Sequence, residues 1–439
     1  MTDDLEIGGS RKENSISMLQ VWLVANTIAW PFNLKLSGLT LSLNVIFLIP
    51  FGLVWLWRRR TIVSSSARVL VLLLGYLAFS WYVAVSGPCN DKLPKLLMTA
   101  PVMAFLVLIG WEAGRTANNS DWLKLEKAAL GALWAGFAGF LVEMAVPSWF
   151  AFQQGFRAEG KFSGLFTEPS HVAFSLFPCI AILLVSQKRK MRRWGMWALF
   201  GLFLLSRSST LIALTASWFL YRLIIQRKLR SGALFGLGVI LLIGLGAIIN
   251  YETLLAPTVV RIIGIVASSD TNNLSSLVYV QGWEDAWENL SRTHGLGLGF
   301  NMMGCHPLPE VPIRAILSIG GMDELNAEDG SFQFGKIVSE AGVAGIAFYV
   351  AIIWWWFQLE KRIRKIGHNA DCSAVTMQAA LIFCFVASSF IRGAGYFSAG
   401  ILLWLIAVSG ASKWQSSLIT KEASGQIGLK RLIMNRQGQ

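Results

Sequence analysis

The chain has 439 residues, of which 54% are hydrophobic and only 14% charged, and its mean hydropathy is +0.54. Soluble domains carry roughly 25% charge, so the composition excludes a chain that faces water along most of its length; apolar runs of roughly 15–22 residues, each able to cross about 30 Å of hydrocarbon, point instead to one all-α polytopic membrane domain over residues 1–439. The formal net charge of +13 does not read as nucleic-acid binding, because the cations gather in short clusters beside apolar runs (58–60, 188–193, 227–230 and 361–365), the pattern of cytoplasmic loops in contact with anionic membrane lipids.

Residues 1–15 are polar, show no cleavable signal peptide and are expected in the cytosol. A first span is expected at about residues 16–30, ended by Pro31, and a second at about 36–57, stopped by Arg58-Arg59-Arg60. The third, about 69–85, leads to a short outer loop containing Cys89. The fourth, about 97–109, returns to a polar inner segment, and the fifth, about 128–146, leaves through the interfacial aromatics Trp149 and Phe150. A polar segment, Arg157 to His171, follows. The sixth span starts near Pro169, a residue tolerated in a first helical turn.

Residues 194–225 lie between two basic clusters, so they must cross and return. Their apolar run is interrupted by Ser206-Arg207-Ser208-Ser209-Thr210, which predicts two short helices meeting at a polar tip. That tip reads either as a plain hairpin turn or as a site, since an arginine at membrane depth costs about 2.5–3.5 kcal/mol without a partner or cavity.

A ninth span is expected at about 234–249, followed by a large outer loop at 250–334. Acidic residues gather there, and the cations are only Arg261, Arg292 and Arg314. Within it an amphipathic helix is expected near 279–291, with Trp283, Ala286, Trp287 and Leu290 on one face and Glu284, Asp285 and Glu288 on the other, lying on the membrane or capping the bundle. Gly295-Leu296-Gly297-Leu298-Gly299 is not a dinucleotide fingerprint and predicts a flexible, close-packed turn. The last spans are expected at about 337–356, 374–390 and 397–408, giving about twelve crossings with both termini inside. The five cysteines show no metal-ligand spacing; Cys89 and Cys305 share the outer face and could pair.

Projected onto this topology, Arg157, Lys161, Glu168, His171, Arg207, Arg261, Asp329, Arg392 and Tyr396 fall on the outer side. Arginine suits oxyanions such as phosphate because its planar fork donates two hydrogen bonds. A lipid-linked diphosphate would set its headgroup at this depth and leave as an anion those arginines could stabilise, with Lys161 and Tyr396 expected as further diphosphate contacts. Glu168, His171 and Asp329 are the candidate bases. Each also has a bland reading: Glu168 as an acid at a helix start, His171 as an interface histidine, Asp329 as a helix cap. A metal site from Glu168, His171 and His306 lacks tight ligand spacing, and no ATP-binding loop is apparent, so no cofactor is expected.

The segments Phe162 to His171, Leu205-Ser206-Arg207-Ser208, the Trp283 helix with its glycine-rich exit, Asp329-Gly330-Ser331 running into Glu340 to Gly345, and Phe390 to Tyr396 resemble the O-antigen polymerase and O-antigen ligase superfamily. The resemblance spans about residues 150–396. It implies a GT-C-like membrane glycosyltransferase of the bacterial cell inner membrane, acting on the periplasmic side without nucleotide or metal. Its polymerase branch moves a growing glycan from undecaprenyl diphosphate onto a new lipid-linked repeat unit, and a chain-length regulator is an implied partner. Family arginines that engage the diphosphate would correspond to Arg157, Arg207, Arg261 and Arg392. The ligase branch, which transfers glycan to lipid A core, typically has a histidine late in the large loop, where this chain has Glu328-Asp329-Gly330-Ser331. A polyprenyl-linked glycan flippase is an alternative of a different class, expected to show a polar path through the membrane midplane.

Overall fold

The structure, a computed structural model, describes residues 33–36, 39–42, 49–50, 52–57, 64–87, 89–146, 162–164, 166, 168–206, 208–225, 274–305, 307–319, 326–328, 330–366, 373–392, 395–397 and 400–417. Two short strands, β1 (Asn33–Leu36) and β2 (Leu39–Ser42), come first. The helices are α1 (Ser64–Ser86), α2 (Leu93–Thr116), α3 (Asn119–Ala145), α4 (Pro169–Val185), α5 (Arg189–Ser206), α6 (Ser209–Ile225), α7 (Leu274–Arg292), α8 (Pro312–Ile319), α9 (Gln333–Ile366), α10 (Ser373–Ile391) and α11, residues 400–417. Among the described residues α1, α2, α3, α9 and α10 are long and apolar enough to cross a membrane, and α4 is a shorter apolar helix. The chain is thus mainly α-helical, with several long apolar helices as a multi-pass membrane protein requires.

The hairpin corrects the expected second span, which cannot start at Leu36. β1 and β2 pair antiparallel with Leu36 opposite Leu39 and Leu34 opposite Leu41. Asn33-Leu34-Lys35-Leu36 and Leu39-Thr40-Leu41-Ser42 alternate with period two around Ser37-Gly38, a hairpin pattern that averaged hydropathy hides. The spans expected at 16–30 and 234–249 lie outside the described residues. The interrupted run 194–225 is a pair of helices of 18 and 17 residues, α5 and α6.

α4 is the axis of the bundle. It is apolar on every face, and such a helix has to be surrounded; α3, α5, α6 and α10 all pack against it, and every residue from Val172 to Leu183 is buried. Pro169 sits in its first turn, where the missing N–H breaks no hydrogen bond.

The ends of the bundle differ in chemistry. At one, buried Glu126 of α3 accepts from Ser186 Oγ (2.7 Å) and Lys188 Nζ (2.9 Å), Arg115 Nε donates to Ser65 Oγ (3.0 Å), and Lys413 Nζ donates to the Ala117 carbonyl (3.1 Å). Trp355 Nε1 ties the later part of α9 to Gln415 of α11 at the same end (3.1 Å). The basic residues 188–193 therefore start α5 beside the start of α3 and the ends of α2 and α11. The opposite end gathers the start of α4, the α5–α6 junction, α7, the start of α9 and the end of α10.

Candidate functional site

The segment leading into α4 is held from three sides. The Phe162 N–H donates to the Leu205 carbonyl at the end of α5 (3.2 Å), while the Ser163 and Gly164 N–H groups donate to the carboxylate of Glu143 on α3 (2.9 and 2.6 Å). Glu143 is fully buried. Gly164 has φ +59°, and a Cβ there would stand 3.3 Å from the Phe140 amide nitrogen, so this turn needs glycine both for conformation and for space. Backbone hydrogen bonds to a carboxylate are worth about 1.5–3 kcal/mol each, enough to fix the approach to α4. A charged residue within the Leu141-Val142-Glu143-Met144 run is the signal that would have identified Glu143, because a buried membrane carboxylate persists only with partners.

Glu168 is the N-cap of α4, in extended backbone, but its side chain makes no capping hydrogen bond. Its carboxylate instead accepts from Ser170 Oγ (2.8 Å) and from Arg392 Nη2 (2.7 Å), a residue 224 positions later, just beyond the end of α10. The bland reading as an acid serving first-turn amides therefore does not describe its contacts. His171 lies in the first turn of α4 with its ring edge against Phe174, centroids 5.4 Å apart. Burial alone would raise the Glu168 carboxyl, but the Arg392 charge, then the His171 charge and the Ser170 hydroxyl, outweigh it and hold the group below the ordinary carboxylate range. An exposed ion pair contributes only about 0–1 kcal/mol, and both partners here are partly exposed, so fold stability does not explain the pairing.

Arg392 is among the residues that line a small crevice, open to solvent, between α4, α10 and α11. Phe174 and Pro178 of α4 and Leu381 and Phe385 of α10 line it, with Gln333, Ser389 and Arg392 as polar members of the lining.

A second cluster organises the large loop. α9 breaks at Gly342, which has φ +60°, and the break frees backbone groups that the glycine-rich turn takes up. The Leu298 and Gly299 N–H groups donate to the Ser339 and Glu340 carbonyls (2.9 Å each), and the Val343 N–H donates to the Gly295 carbonyl (2.8 Å). The expected close-packed turn is this strap. Buried Glu340 accepts from the Asn301 and Met303 N–H groups (2.8 and 3.1 Å) and from the Tyr396 hydroxyl (2.5 Å). Tyr396, expected among the diphosphate contacts, is thus a buried residue whose hydroxyl serves Glu340, with Lys336 Nζ 5.5 Å from its ring centroid.

The loop is also fastened to the start of α2. Lys92 and Lys95 donate to the Glu328 carboxylate (2.7 and 2.9 Å), Lys336 donates to the Glu328 carbonyl (2.6 Å), and Cys89 and Cys305 form a disulfide. Burial would raise the Glu328 carboxyl, yet hydrogen bonds and charge from the two lysines bring it down to about 2. A carboxyl depressed on folding stabilises the protein above its unfolded value and loses that contribution as pH falls through the folded one. The loop clasp is accordingly expected to weaken as pH drops from about 4.5 toward about 2, and Glu328→Gln should flatten this limb of a thermal-unfolding profile taken against pH. Removing the disulfide as Cys89→Ala with Cys305→Ala should cost about 2–4 kcal/mol, read as a lower unfolding temperature in detergent.

Glu168, His171, Arg392 and Tyr396 therefore lie at one end of the bundle, with Glu168 and Arg392 in contact. Arg157, Lys161, Arg207, Arg261 and Asp329 lie outside the described residues, as does His306. The segments flanking Arg207 belong to the same end, since Leu205 accepts the bond from Phe162. Among the described residues no group of three His, Cys, Asp or Glu side chains is arranged to hold a metal ion. The sequence matches no model of a protein family, and no curated protein is significantly similar to it.

Proposed function

We propose that the chain is a membrane glycosyltransferase of the polysaccharide-polymerase kind, moving a growing glycan from undecaprenyl diphosphate to the nonreducing end of a new undecaprenyl-diphosphate-linked repeat unit. The observation that carries this reading is the Glu168–Arg392 pair, whose arginine also lines the crevice between α4, α10 and α11: a carboxylate able to take a proton beside a guanidinium able to hold a phosphate. The acceptor hydroxyl gives its proton to the base, for which Glu168 is favoured over His171 and Asp329 by its contact with Arg392. The acceptor oxygen bonds to the donor anomeric carbon as the bond from that carbon to the phosphate oxygen breaks. The lipid diphosphate departs with the bonding pair and is stabilised by Arg392, with Arg157, Arg207 and Arg261 as further diphosphate ligands. One displacement inverts the anomeric centre.

In this reading the chain crosses the inner membrane about twelve times, with the second crossing drawn back to residues after Ser42. The basic end and both termini face the cytosol, and the Glu168–Arg392 end faces the periplasm. The Cys89–Cys305 disulfide supports that orientation, because such bonds persist in oxidising compartments. The apolar burial of α4 from Val172 to Leu183 favours a transferase over a flippase, which needs a polar route through the midplane.

The test is reconstitution of the purified protein in liposomes with undecaprenyl-diphosphate-linked repeat units, with lipid A core supplied separately as acceptor. Lengthening of the glycan on its lipid carrier supports the polymerase. Transfer only to lipid A core would assign the ligase reaction instead, and no transfer to either acceptor by folded protein would contradict the reading.

A further inference from the structure

Of the two placements expected for the amphipathic helix of the large loop, lying on the membrane or capping the bundle, its burial pattern excludes a cap packed through the tryptophan face. On α7 the polar residues Gln281, Asp285 and Asn289, spaced four apart on one face, are buried, whereas Trp287 is 72% exposed and Trp283 is partly exposed. Two carboxylates of the helix are paired within the loop. Asp285 accepts twice from Arg314 Nη2 of α8 (2.9 and 2.7 Å), and Glu284 accepts from the Ile313 N–H at the start of α8 (3.1 Å). Binary patterning alone could not foresee that Asp285 turns to a buried arginine rather than to water.

The outward aromatic face is not isolated. Among the described residues outside the helices expected to cross the membrane, the exposed large hydrophobic side chains are Trp283, Trp287, Leu296 and Ile316, all on α7, on the turn that leaves it or on α8. Gly295 of that turn lies against Val343, where a Cβ would approach Val343 Cγ2 to 3.0 Å. Val343 is exposed and begins a stripe on α9 continued by Val350, Trp354 and Phe357. These positions share one helical face of a long apolar helix, the face such a helix gives to lipid. The α7 patch thus continues a lipid-facing surface from its outer end, at the level where tryptophan prefers the headgroup boundary.

We infer that α7 is an interfacial anchor: its Trp283–Trp287 face, with Leu296, rests in the outer headgroup layer of the bilayer, while its polar face holds the large loop together. The partner is the lipid surface rather than a protein. The inference stands apart from the chemistry proposed at Glu168 and would survive its failure.

Site-specific labelling of the full-length protein in nanodiscs tests this. Cys89 and Cys305 are disulfide-bonded and Cys179 and Cys384 are buried, while Cys372 lies outside the described residues, so in a Cys372→Ser background under non-reducing conditions a maleimide dye reports only an introduced cysteine. Dye is placed on Trp287→Cys, on Leu296→Cys as a second probe of the same face, and on Glu310→Cys as an exposed loop control. The expected result is several-fold weaker quenching by aqueous iodide at 287 and 296 than at 310, together with strong quenching by lipids that carry a quencher near the headgroup. Iodide quenching at 287 and 296 equal to that at 310 would overturn the inference. So would protection from both quenchers, which would place a second copy of the chain or another protein on this face.

Discussion

Glu168→Gln is expected to lower glycan transfer by about 10²–10⁴-fold, the range that a positioned general base supplies, with little change in folding. The amide keeps the shape of the carboxylate and can still accept from Ser170 and Arg392, but it cannot take a proton at that oxygen. Arg392→Ala is expected to lose about 10²–10³-fold, as when one donor to a developing anion is removed. The two variants should differ in their pH profiles. In the wild-type protein burial pushes the Glu168 carboxyl up, while Arg392, His171 and Ser170 together bring it below its usual value. Without Arg392 the largest lowering influence is gone, so the acidic limb of kcat/KM should move to higher pH in Arg392→Ala; in Glu168→Gln that limb should disappear from the residual rate. The same linkage suits a transferase: a diphosphate that draws Arg392 away leaves Glu168 a stronger base when a donor is in place. A pH profile unchanged by Arg392→Ala would separate the pair from the chemistry.

Gly342→Ala is expected to be the most damaging small substitution in the large-loop cluster. Gly342 combines φ +60° with ψ −138°, a conformation open essentially to glycine alone, and a Cβ there would stand 2.0 Å from the Gly295 carbonyl oxygen. Backbone strain of about 1–3 kcal/mol and overpacking of similar size would together expel the glycine-rich strap or straighten α9. Either outcome removes the Val343-to-Gly295 and Gly299-to-Glu340 hydrogen bonds and loosens the Glu340–Tyr396 contact. A thermal-unfolding midpoint close to that of the wild type, with the strap still protected from hydrogen exchange, would show that the break in α9 is not what fixes the loop.

Much of the architecture was legible because membrane crossing imposes long apolar runs and sorts cations to one side. The expected start of the second span at residue 36 failed because hydropathy averaged over a window cannot distinguish a period of two from a run of leucines, and Leu34, Leu36, Leu39 and Leu41 satisfy both. Candidate site residues stand out where polar groups interrupt apolar runs at their ends, as at Glu168 and Arg392. Their contact could not be read from residues 224 positions apart. Glu143 is not singled out by the sequence reading, and Glu340 enters it only as part of a resembling segment, because each lies inside an expected span where mean hydropathy hides a single carboxylate; the cost of burying such a group marks both as fixed by partners. The inward turn of Asp285 depended on Arg314, another pairing outside the reach of helical periodicity.

The most direct measurement of the central claim is a cryo-EM map of the protein bound to an undecaprenyl-diphosphate-linked repeat unit. Density for the diphosphate within hydrogen-bonding distance of Arg392, with the first isoprene units between α4 and α10 and Glu168 released from its ion pair, is the predicted result. Diphosphate density at the basic end beside Glu126 and Lys188, or a lipid bound elsewhere with the Glu168–Arg392 pair intact, would contradict it.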